Sequence, residues 1–168
     1  MNYHAKQPHT GDALPLDRNP TQAFMELALE EARTGLREGG IPIGAVLVKD
    51  RIVIGRGHNQ RVQQNNQILH GEMACLVNAG RIADYSNTTL YTTLSPCMMC
   101  SGTIVQFRIP HVVIGENHTF GGNENFLRGQ GIEVEILQHR GCQELMEQFI
   151  ESHPELWHED IGVPWHNV

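Results

Sequence analysis

The sequence predicts an α/β fold: a five-stranded mixed sheet, mostly parallel, with helices on both of its faces. Short apolar runs with strand character alternate with longer segments of helical periodicity, in the order α-β-β-α-β-α-β-α-β-α. Strands separated by helices need crossover connections, which make neighbouring strands parallel and cover both faces of the sheet. The first two strands form a hairpin and add one antiparallel strand. A length of 168 residues suits a single domain with a sizeable core.

Each element follows from a local pattern. The first helix begins at Asn19, a favourable N-cap, with Pro20 at the first helical position. Its apolar residues recur at helical spacing from Phe24 to Leu36, and the pair Gly39 and Gly40 ends it. Strands are expected at 43–48, 52–57, 88–93, 111–116 and 132–137. Further helices are expected at about 69–81, from Ser95 and Pro96 to about Phe107, within the loop 117–131, and at 142–152.

The two ends of the chain differ from this regular pattern. Residues 1–18 are polar and lack periodicity, so we predict a flexible N-terminal arm followed by one domain over residues 19–168. Pro154 is expected to end the last helix. A short apolar tail then follows, containing Leu156, Trp157, Ile161, Val163 and Trp165.

Charge and hydropathy exclude several classes of partner. The formal charge of −7 is spread along the chain, whereas nucleic-acid binders usually carry a basic stripe, so nucleic acid is not an expected partner. No apolar run reaches the length of a membrane span, so no membrane partner is expected either. The N-terminus lacks the basic and apolar pattern of a signal peptide, which favours a cytoplasmic location.

The chemistry is concentrated in two short motifs, His70-Gly71-Glu72 and Pro96-Cys97-Met98-Met99-Cys100. The types and spacing of His70, Cys97 and Cys100 predict the ligands of one Zn²⁺. A zinc ion with three protein ligands keeps a fourth position open for water, which is typical of a catalytic site. A redox pair is the other interpretation of Cys-x-x-Cys, but it leaves His70 and Glu72 unexplained.

The spacing of these motifs also predicts how they meet. Cys97 and Cys100 are three residues apart in the first turn of a helix, which places both sulfurs on one face. His70 and Glu72 are two residues apart and do not share a helix face, so they converge only at the N-terminal end of their helix. Two helix N-termini should therefore point at one zinc ion. Glu72 is predicted to carry protons, although an isolated Glu here would merely complement the helix dipole.

These residues resemble the motifs of the zinc-dependent cytidine-deaminase-like superfamily and, within it, the fungal-type cytosine deaminases. The Gly-Arg-Gly-His-Asn run at 55–59 and the Trp-His-Glu-Asp-Ile-Gly run at 157–162 carry the closer resemblance. It implies a three-layer α/β/α sandwich, a tight homodimer and a role in pyrimidine salvage. The implied reaction is the hydrolysis of a free nucleobase, cytosine to uracil plus ammonia.

The resemblance further implies a substrate pocket beneath a lid at about 154–168. Asn59 would bind the exocyclic carbonyl of the pyrimidine, and Asp160 would accept from the amino group that leaves. The remaining implied contacts come from ring-covering side chains and from backbone beside the substrate or the water. They are Ile43, Phe120, Trp157 and Ile161, with the backbone of Gly71, Leu94 and Ser95.

Other functions remain open on the sequence. Met98 stands where the fungal pattern has an acidic residue, so the ring accepted could also be isocytosine, guanine, a pterin or creatinine. A tRNA adenosine deaminase shares the zinc motif, but should have basic residues around its pocket. A zinc-stabilised binding module without catalysis would need a fourth protein ligand to close the metal site.

Overall fold

The computed structural model describes residues 19–163, so the predicted arm and residues 164–168 with Trp165 lie outside the described residues. In this part of the chain the strands are β1 (Gly44–Lys49), β2 (Ile52–His58), β3 (Thr88–Leu94), β4 (His111–Glu116) and β5 (Glu133–Ile136). The helices are α1 (Pro20–Arg37), α2 (Arg61–Gln64), α3 (Gly71–Ala79), α4 (Met98–Phe107), α5 (Glu124–Gly129), α6 (Arg140–Ser152) and α7 (Pro154–Asp160).

The strands form one sheet in the order β2-β1-β3-β4-β5. Strand β1 pairs antiparallel with both β2 and β3, whereas the β3-β4 and β4-β5 pairs are parallel. Strands β2 to β5 therefore all run in one direction, and β1 alone runs against them. The tight turn of the β1-β2 hairpin contains Asp50 and Arg51, both with positive φ. The predicted mixed, mostly parallel sheet is confirmed.

Helices cover both faces of this sheet. Alternate residues of β1 point to opposite sides, as a strand requires. Ala45 and Leu47 join a core with residues of α3, α4 and α5, while Val46 and Val48 join a second core with residues of α1 and α6. This arrangement is the expected three-layer α/β/α sandwich.

Close packing of α1 on the sheet depends on one glycine. A Cβ atom at Gly44 would lie 2.1 Å from the carbonyl oxygen of Ala28 in α1. Only a residue without a side chain permits this approach. The start of β1 therefore lies directly against α1, and the end of β2 lies beside it.

Three local predictions are wrong. Ser95 and Pro96 do not begin α4, which starts at Met98 with Cys97 as its N-cap. Ser95 is engaged elsewhere, because its hydroxyl donates to Glu124 and accepts from a backbone N–H. Pro154 follows the end of α6 as expected, but it also occupies the first turn of a new helix, α7, where its missing N–H costs nothing. Helix α2 lies at Arg61–Gln64, between the second strand and the second predicted helix, where no helix was expected.

None of the helices in residues 19–163 combines the length and the hydropathy needed to cross a membrane.

Candidate active site and metal centre

The three predicted metal ligands lie together where α3 and α4 begin. Nδ1 of His70 is 3.6 Å from Sγ of Cys97, and the ligand atoms of His70, Cys97 and Cys100 all lie within 4.8 Å of one another. No fourth His, Cys, Asp or Glu joins this group among residues 19–163. One imidazole and two thiols form a donor set that suits Zn²⁺. The group therefore fits a zinc centre with an open position.

Two helix N-termini meet at this centre, as the spacing predicts. His70 is the N-cap residue of α3 and Cys97 is the N-cap residue of α4, and neither side chain makes a capping hydrogen bond. Each helix start carries about half a positive charge, which favours thiolates. Hydrogen bonds from Cys100 and His70 lower the pKa of Cys97 to about 4. The bond with Cys97 and burial raise the pKa of Cys100, so Cys97 is the thiol that ionises first.

Glu72 lies beside the ligands without being one of them. It is the second residue of α3 and is only 3% exposed. The thiol of Cys100 donates to Oε2 of Glu72 at 3.4 Å. Burial, and then the negative charge of Cys97, raise the pKa of Glu72. A buried carboxyl group with a raised pKa next to an open metal position suits proton transfer.

The other side of His70 faces the C-terminal helix. Nε2 of His70 lies 3.8 Å from Oδ1 of Asp160, the last residue of α7. Burial disfavours the charged imidazole, but the bond with Cys97 and the charge of Asp160 raise the pKa of His70 overall. A carboxylate behind a histidine ligand is a common arrangement that orients the ring. Helix α7 therefore reaches the metal centre.

Asp160 also binds the residue that follows β2. Nδ2 of Asn59 donates to Oδ1 of Asp160 at 3.0 Å, and Asn59 is fully buried. The backbone N–H of Asn59 donates to the carbonyl of Ile43 at 2.8 Å, which fixes Asn59 at the start of β1. The two residues implied for substrate recognition are thus in direct contact.

Arg61, which was not predicted from the sequence, joins this pair. NH1 of Arg61 donates to Oδ1 of Asp160 at 3.0 Å, and the backbone N–H of Arg61 donates to Oδ1 of Asn59 at 3.1 Å. Arg61 is only 7% exposed. The available signal was a basic residue two positions after Asn59, in a chain whose predicted lid carries Glu159 and Asp160.

The apolar residues implied for the pocket belong to one cluster near these polar groups. Ile43, Leu94 and Trp157 are buried in it, and Phe120 and Ile161 pack against it half-buried. The rings of Phe120 and Trp157 meet edge to face, with centroids 6.0 Å apart. This cluster supplies an apolar wall with an aromatic edge beside a few placed polar groups, as a site for a flat heterocycle requires.

Backbone contacts bring the remaining predicted residues to the same place. A Cβ atom at Gly71 would lie 2.7 Å from the carbonyl oxygen of Ile43, so α3 begins against the start of β1. The backbone N–H of Ser95 donates to the carbonyl of Glu116 at 3.0 Å. Its hydroxyl donates to Oε1 of Glu124 at 2.9 Å and accepts from the N–H of Gly122 at 3.2 Å, which ties the loop before α5 to the site.

Glu116 is a second residue that the sequence analysis did not single out for the site. Its fully buried carboxylate accepts from the backbone N–H groups of His118 at 2.6 Å and Thr119 at 3.0 Å. These bonds fold the loop immediately before Phe120. Glu116 therefore stabilises the loop that leads to Phe120, one residue of the aromatic wall.

Known proteins are similar to this chain in sequence and in fold. Residues 18–116 match the family model of the cytidine and deoxycytidylate deaminase zinc-binding region. The chain is 48% identical over 141 residues to a cytosine deaminase of Candida albicans, which covers 82% of this chain and 94% of the relative. It is 42% identical over 134 residues to a tRNA-specific adenosine deaminase of Streptococcus pyogenes serotype M18. This match covers 76% of this chain and 81% of the relative.

Similarity extends to solved structures. A chain from a study of A-to-I editing by tRNA:A34 deaminases matches with a TM-score of 0.64 at 32% identity, covering 74% of this chain and 99% of that one. The matched family region contains His70, Glu72, Cys97 and Cys100. Together with the geometry of the three ligands, these matches place the chain in the zinc-binding family of cytidine and deoxycytidylate deaminases.

Proposed function

We propose that the protein hydrolyses free cytosine to uracil and ammonia, with one Zn²⁺ per chain. The observation that carries this proposal is the contact of Asn59 and Asp160 beside the metal ligands, next to a partly aromatic apolar cluster. A pair with one amide donor and one carboxylate acceptor matches a ring that carries a carbonyl and an amino group. The 48% identity to a cytosine deaminase supports the same substrate.

Each residue of the site has its own role in the proposed reaction. His70, Cys97 and Cys100 hold the metal, which supplies an activated water when it is bound. Glu72 takes a proton from the water side and delivers protons to the ring nitrogen and then to the departing amine. Asp160 accepts a hydrogen bond from the amino group, and Asn59 donates to the ring carbonyl. Phe120, Trp157 and Ile161 cover the ring and exclude bulk water.

A tRNA adenosine deaminase is the second candidate, since 42% identity to one such enzyme favours it. Two features of this chain speak against it. The formal charge is −7, and the recognition pair is closed off by α7, with Asn59 fully buried. A polynucleotide would need a basic approach and an open pocket.

We further propose that the protein works as a homodimer. Four large apolar side chains are exposed around α2, α3 and the start of α4, a pattern that marks contact surfaces. They are Val62 at 43%, Ile68 at 57%, Val77 at 68% and Met98 at 57%. Analytical ultracentrifugation should give twice the chain mass, and Ile68→Lys with Met98→Lys should shift the protein to the monomer.

A screen of ammonia release tests the proposed reaction. The substrates are cytosine, isocytosine, guanine, adenine, creatinine, a pterin, cytidine, adenosine and an adenosine-containing tRNA anticodon stem. Cytosine should be the preferred substrate, and Glu72→Ala supplies the background rate. Turnover of the RNA alone would instead establish the second candidate, and turnover of nucleosides or of another free ring would correct the substrate.

A further inference from the structure

We infer that Arg61 is a positioning residue that orients Asp160 toward the amino group of the substrate. The inference rests on the proposed function, because it concerns the same pocket. It assigns a role to a residue that lies outside the zinc motif. Two parts of Arg61 act: its guanidinium holds Asp160, and its backbone N–H holds Asn59.

The guanidinium of Arg61 joins α2 to α7. NH1 donates to Oδ1 of Asp160 at 3.0 Å, and NH2 donates to Oε1 of Glu159 at 3.1 Å. NH2 also donates to Gln67 in the loop before α3. The side chains of Arg61 and Asp160 are 6% and 3% exposed, so this ion pair is shielded from water. A shielded pair with a planar donor fixes the direction of the carboxylate better than an exposed pair does.

This contact gives the two carboxylate oxygens of Asp160 different roles. Oδ1 of Asp160 accepts from both Arg61 and Asn59 and faces Nε2 of His70. Oδ2 takes no part in these contacts and is the oxygen that remains for the substrate. Without the guanidinium, the carboxylate can rotate about its last bond and would be a buried charge without its cation.

The backbone of Arg61 sets the direction of the Asn59 amide. Oδ1 of Asn59 accepts from the N–H of Arg61 and Nδ2 donates one of its two N–H groups to Asp160, so the second N–H of Nδ2 remains for the substrate. The pair therefore offers a donor for a carbonyl and an acceptor for an amine. Replacing the side chain of Arg61 leaves its backbone bond in place, so the two effects are separable.

Kinetics of Arg61→Met in the zinc-loaded protein test the role of the side chain. KM for cytosine should rise roughly 10- to 100-fold, as expected when one partner of a buried charge pair is removed. Inhibition by pyrimidin-2-one, which has the same ring and carbonyl but no amino group, should change less than about threefold, because Asn59 keeps its orientation. Zinc content should remain at one ion per chain. If the substitution damaged the whole pocket, cytosine and pyrimidin-2-one would both bind more weakly by the same factor. That result would overturn the inference.

The chain offers a matched control. Arg56 also pairs with two carboxylates, Glu30 and Glu31, but it is farther along β2 from the site and its side chain is 30% exposed. In Arg56→Met, the KM for cytosine and the inhibition constant of pyrimidin-2-one should each stay within about twofold of the wild-type value. Arg61→Lys keeps the charge without the planar fork, so its KM should lie between the wild type and Arg61→Met. This milder variant also serves if Arg61→Met does not fold.

A double-mutant cycle with Asp160→Asn completes the test. If Arg61 acts through Asp160, then Arg61→Met should have little further effect on kcat/KM once Asp160 is changed. Additive losses would overturn the inference and leave Arg61 a structural residue. A wild-type protein that does not deaminate cytosine refutes the proposed substrate instead. The same cycle is then run with whichever amino ring it does deaminate.

Discussion

The carboxylate of Glu72 has the position and the surroundings that a proton carrier needs. It is buried, its pKa is raised, and it accepts a hydrogen bond from one metal ligand without joining the ligand group. A Glu that only complemented the dipole of α3 would not need to be buried. These observations support the predicted role of Glu72 over the simpler interpretation.

We predict that Glu72→Ala keeps its zinc and loses turnover. General acid-base groups contribute roughly 100- to 10,000-fold to rate, so kcat should fall by that factor. Metal content by mass spectrometry and ammonia release measure the two properties separately. Glu144→Ala is a suitable control, since this carboxylate is exposed on α6 and pairs only with Arg140 there. An active Glu72→Ala enzyme would refute the role.

Residues could be predicted where chemistry restricts their type and spacing. His70, Cys97 and Cys100 form such a pattern, and the structure brings them together. Arg61 could not be predicted, because its partner Asp160 is 99 positions away in the chain and nothing local marks it. The assignment of Ser95 as N-cap of α4 was wrong for a similar reason, since a contact with the distant Glu124 uses its hydroxyl.

At the scale of elements, His58 links α1 to β2. Nδ1 of His58 lies 3.1 Å from Glu31 and Nε2 lies 2.9 Å from Glu38, while Arg56 donates to the other oxygen of Glu31. A neutral imidazole has only one N–H, so both contacts are satisfied only in the charged form. The bond with Glu31 and the contacts with Glu38 outweigh burial and raise the pKa of His58.

This link should depend on pH. Because the folded pKa of His58 lies above its ordinary 6.5, its stabilisation is complete below pH 6.5 and is lost as the pH rises through the raised value. Burial disfavours the charge of Glu31, but His58 and Arg56 lower its pKa overall below 4.5, so its contribution is lost only in acid. We predict that His58→Gln costs about 1.5–3 kcal/mol at pH 5.5. Urea denaturation should show a smaller difference at pH 9, and an equal difference would contradict the charged link.

We propose that helix α7 covers the pocket. Its seven residues place Trp157 in the apolar cluster and Asp160 beside His70. Since Asn59, Glu72 and the side chain of Asp160 are at most 3% exposed, a substrate reaches them only if α7 moves. The segment predicted to be a lid thus contains a helix within the described residues, and its action as a lid stays a prediction.

Hydrogen exchange can measure this movement. We predict that the amides of α7 exchange faster than those of β3 and β4, because so short a helix opens at lower free energy than the central strands. Uracil at ten times its Kd should slow the exchange of α7 about tenfold and leave the central strands unchanged. Exchange of α7 that does not respond to uracil would contradict the cover.

Strands were easier to predict than helix ends. Strand β4 runs over 111–116 as predicted, because a continuous run of β-branched residues, Val112 to Ile114, follows Pro110. Helix α7 was missed because a proline that ends one helix can also occupy the first turn of the next. The position of β1 between β2 and β3 depends on packing against α1, which the local pattern does not contain.

At the scale of the whole molecule, the metal centre connects α3 and α4. His70 and Cys97 are the N-cap residues of these helices, so a bound ion would tie the two helix starts to each other. Ligands that bind only the folded state stabilise it by mass action. The zinc centre should therefore support the fold as well as the reaction.

Removal of zinc tests this coupling. At a thousand times its Kd a ligand adds about 4 kcal/mol, and in a chain of this length that raises Tm by roughly 8–16 °C. Calorimetry with and without a chelator should show this difference, together with complete loss of ammonia release. The Tm of Cys100→Ala should not respond to the chelator. A wild-type Tm that is insensitive to chelation would indicate that the metal has no part in stability.

The contact between Asn59 and Asp160 joins residues 101 positions apart, and this distance has a consequence for the newly made chain. All three metal ligands have left the ribosome shortly after Cys100, whereas Asp160 follows about sixty residues later. At 5–20 residues per second, this delay lasts roughly 3–12 s. A growing chain thus holds the donors for a metal ion before it can enclose a base.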